Sequence, residues 1–345
     1  MTYKEILEKK FSSDDLKKDI QEFNQVGREI NRLLPTLGEK EIDNLLVFAK
    51  NKSFDLIKRK KSSQDTNLPN PYTVSYEERK IIILEELGVE FGQKNLLFLI
   101  DKQKDFTEIG GSLYVPGGEE SNINTCKFID LHRKRIDDII LTKDDHFISH
   151  IGNSAAWRDK SGKKVDSFIT ITSAQVEKGE YVPVYITKER ALEYLRKIES
   201  KGATHTLWPL HCKHGDAGQS FPKNLIQSLE WWMEEKKKHY ITVAKGSRDD
   251  AEMYSVFSYA DDSDPEYTKR ALDWLAEMGH DKIFIAGEAK DICVAESVRD
   301  LMKDERFKGK LVFLDSCMAS INTKSPNLKV YEEAIKNFGA KKFKG

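Results

Sequence analysis

The chain has 345 residues, 39% of them hydrophobic and 33% charged, and its 56 basic and 57 acidic side chains give a formal net charge of −1. This composition excludes a disulfide-stabilised mini-protein, a disordered chain and a collagen-like or membrane protein, and the length suits roughly two domains. A balanced charge gives no global field that would attract nucleic acid or an anionic membrane, so neither partner is expected.

The N-terminus and the cysteines indicate a reducing compartment. The first ten residues lack the apolar core of a signal peptide, and no uncharged run approaches the roughly 18 residues of a membrane span, so we predict a cytoplasmic protein. The four cysteines are scattered and form no CxxC pair, which predicts free thiols, one of which is a candidate nucleophile. Cys126 and Cys317 fit buried, unreactive positions better than Cys293 does.

Residues 1–93 are predicted to form a helical N-terminal extension. Apolar residues recur there at spacings typical of one helix face: Leu16, Ile20, Phe23 and Ile30, and then Ile42, Leu45, Leu46 and Ala49. Residues 62–76 are rich in Asn, Pro, Ser and Thr and are predicted to be a loop or linker. The basic run 58–61 is predicted to be a solvated helix end rather than a nucleic-acid-binding arm.

From residue 94 onward, short apolar runs alternate with helical stretches. The runs are too short for core helices and predict buried strands at 95–100, 138–142, 240–243, 282–286 and 310–314. Helices are predicted at 267–278 and 291–303, between the last three strands. This alternation predicts an α/β protein with a parallel sheet covered by helices on both faces, in which ligands collect at the carboxyl ends of the strands.

Polar residues follow these strand ends, and five segments carrying them resemble motifs of the nicotinamidase and isochorismatase-like cysteine hydrolases. The segments stand in the order of that family: Asp101–Phe106 with Gly111–Gly118, Thr142–His146 (D-x-H), Trp208–Cys212 (W-P-x-H-C), Val243–Gly246 (the lysine motif) and Gly287–Val294 (the nucleophile loop). The resemblance covers about residues 94–320. It implies an isochorismatase-like hydrolase domain at 94–345, with an insert at about 151–206.

The resemblance implies a cysteine hydrolase mechanism. Cys293 follows a strand and opens a predicted helix, so backbone N–H groups and the helix dipole are expected to favour its thiolate. Asp101 is the implied proton shuttle, and Lys245 is expected to lower the pKa of the cysteine and orient Asp101. Backbone N–H groups of Ala289 and Cys293 are the implied oxyanion donors, with a cis peptide between Glu288 and Ala289.

A metal site is expected from one carboxylate and two imidazoles. Asp144 and His146 alternate at a strand end, so both side chains can reach one ion, and His211 completes the set. These donors suit Zn²⁺ first, with Fe²⁺ and Mn²⁺ also compatible. Asp145 is the rival carboxylate, and His150 is left open as a further ligand, an indirect donor or a loop histidine.

The resemblance also implies the substrate. Phe106 and Trp208, joined by Tyr254, are expected to hold a flat substrate ring. We therefore predict a metal-dependent cysteine amidohydrolase that converts a small amide through a thioester, with nicotinamide, giving nicotinate and ammonia, as the first candidate. The alternatives are a hydrolase of another carbamoyl or amide compound, and a non-catalytic binding or scaffold protein on the same fold.

Two segments depart from the compact members of this family. The stretch between His146 and His211 is longer, and its insert is predicted to be a lid that governs substrate choice or else a subunit interface. The N-terminal extension has no counterpart in the compact enzymes. Homo-oligomerisation and partner binding are the roles left open for it.

Overall fold

The computed structural model describes residues 2–10, 15–33, 44–45, 48, 52 and 91–343. Its contacts divide the chain into two compact units, residues 1–90 with 344–345 and residues 91–343. None of the helices in the described part of the chain is both long enough and apolar enough to cross a membrane.

The first unit contains helices α1 (Tyr3–Leu7) and α2 (Leu16–Leu33). Ile20 and Phe23, two members of the predicted apolar face of α2, are fully buried, as the spacing requires. Of the second predicted face, Leu45 is helical and buried. Ile42, Leu46 and Ala49, the basic run 58–61 and the linker 62–76 lie outside the described residues.

The second unit is built on a parallel sheet, with smaller strand pairs beside it. Its strands are β1 (Asn95–Ile100), β2 (Asp138–Asp144), β3 (Trp157–Asp159), β4 (Thr170–Ile171), β5 (Tyr181–Pro183), β6 (His205–Thr206), β7 (Ile241–Lys245), β8 (Lys282–Gly287), β9 (Leu311–Met318) and β10 (Lys341–Lys342). Its helices are α3 (Lys104–Thr107), α4 (Gly118–His132), α5 (Ser173–Glu177), α6 (Lys188–Ser200), α7 (Lys223–Lys236), α8 (Pro265–Glu277), α9 (Ala295–Leu301) and α10 (Lys329–Phe338).

The main sheet has the order β10-β9-β8-β1-β2-β7, and each neighbouring pair is parallel. The chain starts in the middle at β1, runs outward through β2 to β7, and then returns to β8 on the other side of β1 before continuing outward. The order therefore reverses between β1 and β8. In open parallel sheets, ligands bind at the carboxyl ends of the strands at such a reversal.

Helices cover both faces of this sheet, as the sequence predicted. On one face, Phe98 and its alternate neighbours along the strands pack with α8, α9 and α10 in one apolar core. On the other face, Phe128 of α4 lies with its ring centroid 5.6 Å from that of Phe284 in β8. All six residues of β1 are buried because both neighbouring strands and both helical layers enclose it.

Two strands differ from the prediction. β7 was predicted to be buried, but Ile241, Thr242 and Ala244 are exposed, because among the described residues β7 pairs with β2 alone. The sixth strand of the main sheet, β10, was not predicted, since two residues are too few for a periodic signal. The predicted helix at 291–303 also begins differently, with a π-helical turn over Lys290–Val294 before α9.

The predicted insert lies between β2 and β7 and has its own apolar core. β3 pairs with β5 and β4 pairs with β6, each antiparallel. The side chains of Trp157, Tyr194 and Leu195 are buried together with neighbouring apolar residues of this segment. Helix α6 contributes Tyr194 and Leu195 to this core.

Candidate active site

The predicted catalytic side chains meet at the carboxyl ends of the strands, around the reversal point of the sheet. Asp101 follows β1 directly, with φ at 49°, in the left-handed region that few non-glycine residues adopt. Lys245 is the last residue of β7, and Cys293 lies in the π-helical turn after β8. All three are buried, with Asp101 fully so.

One ammonium group joins these residues. Nζ of Lys245 lies 2.9 Å from Oδ2 of Asp101 and 3.6 Å from Sγ of Cys293, and it donates a hydrogen bond of 2.5 Å to Oδ1 of Asp144. The other oxygen of Asp101 accepts a hydrogen bond of 2.6 Å from the hydroxyl of Thr142. The structure therefore places an acid, a thiol and a lysine within direct reach of one another.

Burial dominates the electrostatics of this group. It raises the pKa of Asp101 to about 6, although Lys245 acts to lower it. Burial opposes the charge of Lys245 as well, but the carboxylates of Asp101 and Asp144 outweigh it and hold the pKa of the lysine well above its usual range. Lys245 is therefore a permanent cation, whereas Asp101 titrates near neutrality.

Burial outweighs the features that were expected to favour the thiolate of Cys293. Burial raises the pKa of the thiol well above its usual value, and the nearby carboxylates of Asp101 and Asp144 add to this effect against Lys245. The helix whose dipole was expected to favour the thiolate begins only at Ala295 and is seven residues long. These surroundings therefore favour the protonated thiol of Cys293.

Asp144, His146 and His211 form a candidate metal-binding group, with one potential ligand atom from each lying within 4.8 Å of the others. Nδ1 of His146 lies 2.9 Å from the carbonyl of Gly246, and Nδ1 of His211 lies 2.8 Å from that of Pro209. A carbonyl can only accept, so each ring carries its proton on Nδ1 and presents the lone pair of Nε2 to the site.

His150 and Asp145, which the sequence left open as alternative metal ligands, differ from these three donors in their hydrogen bonds. Nδ1 of His150 accepts a hydrogen bond of 3.1 Å from the backbone N–H of Gly152, so the proton of the neutral ring is on Nε2 and no lone pair is left for a metal. Burial, aided by His146, holds the pKa of His150 well below its usual value and keeps the ring neutral. Asp145 faces away, with Oδ1 lying 2.7 Å from Nδ1 of His214.

Two side chains of the first motif hold the metal-donor segments in place. The amide of Gln103 accepts from the N–H of Asp144 and donates to its carbonyl, both at 2.7 Å, and so extends the β1–β2 pairing beyond the end of β1. The buried carboxylate of Asp105 accepts the N–H of Cys212 at 2.6 Å, next to His211. These contacts fix the backbone at two of the three donors.

A cavity opens onto this group. Its walls include every residue that the sequence assigned to substrate binding or to the oxyanion: Phe106, Trp208, Tyr254, Ala289 and Cys293. The indole N–H of Trp208 donates to the hydroxyl of Tyr254 at 3.1 Å. The peptide bond between Glu288 and Ala289 is cis.

One acid of this cavity, and the side chain through which the insert adjoins the cavity, were not predicted from the sequence. Glu252 lines the cavity and is buried, but it stands in a loop that no motif or periodicity singled out. Phe168 belongs to the insert, and its ring lies perpendicular to that of Trp208, with the centroids 6.1 Å apart. The backbone N–H of Phe168 donates to the carbonyl of Leu207 at 2.6 Å.

Comparison with known proteins shows similarity to nicotinamidases, although no protein-family model matches the chain. Nicotinamidase from Saccharomyces cerevisiae is 26% identical over 204 residues, or 57% of this chain and 76% of that protein. Nicotinamidase from Acinetobacter baylyi is 26% identical over 240 residues, or 68% of this chain and 86% of that protein.

Solved structures give the same result for the fold. Yeast nicotinamidase bound to the inhibitor nicotinaldehyde superposes with a TM-score of 0.51 at 19% identity, covering 73% of this chain and all (100%) of that chain. A nicotinamidase and pyrazinamidase from Acinetobacter baumannii superposes with a TM-score of 0.50 at 20% identity, covering 74% of this chain and 97% of that chain.

The chain thus has the fold of the solved nicotinamidases, a parallel sheet covered by helices on both faces, and the predicted α/β fold class is confirmed. Sequence and fold together also confirm the resemblance drawn from the five motifs. In sequence and in fold, the protein is similar to nicotinamidases.

Proposed function

We propose that this protein is a metal-dependent cysteine amidohydrolase that hydrolyses a small aromatic amide, with nicotinamide as the first candidate substrate. One observation carries the proposal. The ammonium of Lys245 contacts both the carboxylate of Asp101 and the sulfur of Cys293, at 2.9 and 3.6 Å, on the wall of a cavity that also presents three metal donors.

Acylation begins with proton transfer, because Cys293 rests as a thiol. Asp101 takes the proton of the thiol as the sulfur attacks the amide carbon, and the electrons of the C=O double bond move to oxygen. The N–H groups of Ala289 and Cys293 hold the resulting oxyanion. When the C–N bond breaks, protonated Asp101 gives its proton to the leaving amine, which departs as ammonia and leaves a thioester on Cys293.

Deacylation uses the same carboxylate. Asp101 removes a proton from water as the water oxygen attacks the thioester carbon, and the C–S bond then breaks to release a carboxylic acid and restore the thiol. Lys245 stays protonated throughout, since its pKa is held well above the usual range. It keeps Asp101 oriented, and its positive charge offsets the negative charge that develops on the carbonyl oxygen of the substrate and on the sulfur of Cys293.

Asp144, His146 and His211 are the residues that would hold the metal. The donor set fits the first-row divalent ions, with Zn²⁺ as the first candidate, because the carboxylate is buried and both imidazoles present Nε2. The bound ion would supply a positive centre with open positions for water or for a ring nitrogen of the substrate. The buried carboxylate of Glu252 provides a further hydrogen-bond acceptor on the same wall.

The cavity favours a flat aromatic amide. Phe106 and Trp208 supply aromatic surfaces, and the hydroxyl of Tyr254 already accepts a hydrogen bond from the indole of Trp208. Nicotinamide has such a ring, and the sequence relatives are both nicotinamidases. One structural relative is bound to the inhibitor nicotinaldehyde, and we expect that aldehyde to occupy this site as well.

The test is ammonia release by metal-loaded protein from nicotinamide, other aromatic carboxamides and carbamoyl compounds. We expect the highest kcat/KM for nicotinamide or a close aromatic analogue, with an acyl-enzyme on Cys293 detectable by mass spectrometry after a rapid quench. The Cys293→Ala protein, folded and metal-loaded, is the matched control. Absence of turnover with every amide, with the metal in place, would rule the proposal out.

A further inference from the structure

A second buried ion pair adjoins the proposed catalytic positions in the sequence. Lys102 and Glu288 are both fully buried, and Nζ of the lysine lies 2.9 Å from Oε1 of the glutamate. Lys102 follows the proton shuttle Asp101, and Glu288 precedes the oxyanion donor Ala289. No step of the proposed mechanism uses either charge.

The pair ties the nucleophile loop to three other parts of the fold. Nζ of Lys102 donates to the hydroxyl of Ser121 in α4 at 2.8 Å, and that hydroxyl also contacts the carboxylate of Glu288. Oε2 of Glu288 accepts the N–H of Ala319, just after β9, at 2.9 Å. The backbone N–H of Glu288 donates to the carbonyl of Ile100, the last residue of β1, at 2.9 Å.

Stability alone does not account for charges at this place. Removing two charges from water is costly, and apolar residues of similar size frequently stabilise a core equally well or better. A buried pair whose hydrogen bonds are satisfied does, however, fix the geometry of the groups it connects. Both carboxylate oxygens of Glu288 have hydrogen-bond partners, and its backbone N–H donates to Ile100. The residue that precedes Ala289 is therefore held through both its side chain and its main chain.

We propose that Lys102 and Glu288 are positioning residues for the oxyanion site. They hold the segment that carries the Ala289 N–H so that this donor meets the oxygen of the tetrahedral intermediate. The inference rests on the proposed amidohydrolase function. It adds a role for two residues that touch neither the substrate nor the reacting atoms.

The test is a double variant that removes both charges. Lys102→Met alone leaves a buried carboxylate without its cation, which destabilises a protein strongly. In Lys102→Met/Glu288→Gln the amide retains an oxygen for the N–H of Ala319 and an NH₂ group for Ser121. We expect this protein to fold and hold its metal with KM little changed, and kcat to fall on the order of tenfold to a hundredfold.

A readout on the oxyanion site separates positioning from a structural effect. Nicotinaldehyde adds to a thiol reversibly: a C–S bond forms, the C=O double bond opens, and the thiol proton ends on the former carbonyl oxygen, which occupies the oxyanion site. We expect the affinity for this aldehyde to fall together with kcat in the double variant. The rate at which iodoacetamide alkylates Cys293 should stay unchanged, because that reaction develops no oxyanion.

The control is a partly buried pair at the amino ends of the strands, away from the site, where Nε2 of His280 lies 2.8 Å from Oδ2 of Asp138. His280→Gln/Asp138→Asn should lower the melting temperature without changing kcat or the aldehyde affinity. Wild-type kcat and aldehyde affinity in the Lys102→Met/Glu288→Gln protein would overturn the inference. If that protein does not fold, Ser121→Ala replaces it, with a several-fold loss of both quantities expected and no loss overturning the inference.

Amide hydrolysis by the wild-type protein keeps the two proposals apart. A wild-type protein that hydrolyses no amide refutes the proposed function, whatever the variants do. A wild-type protein that hydrolyses amides, with a double variant equal to it in both measurements, refutes only the role of Lys102 and Glu288.

Discussion

The hydroxyl of Thr142 should help to set the position of the acid limb in the pH–rate profile. Asp101 must be ionised to accept the thiol proton, and Thr142 donates a 2.6 Å hydrogen bond to its carboxylate, which stabilises the ionised form. Thr142→Val keeps the shape of this fully buried residue but removes the donor. The pKa of Asp101 should therefore rise, and the acid limb of kcat/KM should move to higher pH.

The magnitude follows from the value of the hydrogen bond. A hydrogen bond to a charged group contributes about 1.5–3 kcal/mol, and one pKa unit corresponds to about 1.4 kcal/mol, so the pKa rises by about one to two units. Starting from a pKa of about 6 in the wild type, the variant titrates between about 7 and 8. At pH 6 about half of Asp101 is ionised in the wild type but about a tenth or less in the variant, a loss of about fivefold or more.

The assay is ammonia release from the best amide between pH 5 and 9, with the metal content determined at each pH. Thr242→Val, an exposed position on β7, is the matched control and should follow the wild-type profile. The two profiles of Thr142→Val and wild type should converge at high pH, where Asp101 is ionised in both. An acid limb that stays in place, or moves to lower pH, would refute Asp101 as the base.

Three further outcomes are expected. Cys293→Ala should abolish turnover with fold and metal intact, whereas Cys317→Ala should leave kcat nearly unchanged; amidase activity in Cys293→Ala would exclude covalent catalysis. His211→Ala should sharply lower the metal content found by elemental analysis, because one donor of three is lost, and equal content would contradict the site. Phe168→Ala removes the aromatic ring through which the insert contacts Trp208, so it should change kcat/KM unequally for nicotinamide and bulkier aromatic amides. If the order of kcat/KM values among these amides stays the same, the insert does not select substrates.

The sequence was most informative where a short apolar run ends in a polar motif. In a parallel sheet, such a run places the next residues at one edge whatever the packing around them, so Asp101, Asp144 and Lys245 were predictable as neighbours from local pattern. The residue alternation on β2 likewise pointed to Asp144 rather than Asp145. These predictions needed only the direction of each strand.

Features that depend on residues distant in the sequence were not predictable from the local pattern. The pKa of Cys293 is set by burial and by carboxylates from two other strands, none of which is local to the thiol. The exposure of β7 depends on which strands lie beside it, and β10 is defined by its pairing with β9 rather than by its own two residues. Glu252 reaches the cavity from a loop, where no periodicity constrains a side chain.

The order of the site residues along the chain also sets the order in which they are synthesised. Asp101, the three metal donors and Lys245 all precede residue 246, whereas Cys293 belongs to the half that returns to the far side of β1. Because synthesis proceeds from the N-terminus, the donors and the base exist before the thiol that they serve. Cys293 follows β8 directly, so its place beside the donors and the base depends on the pairing of β8 with β1 at the centre of the sheet.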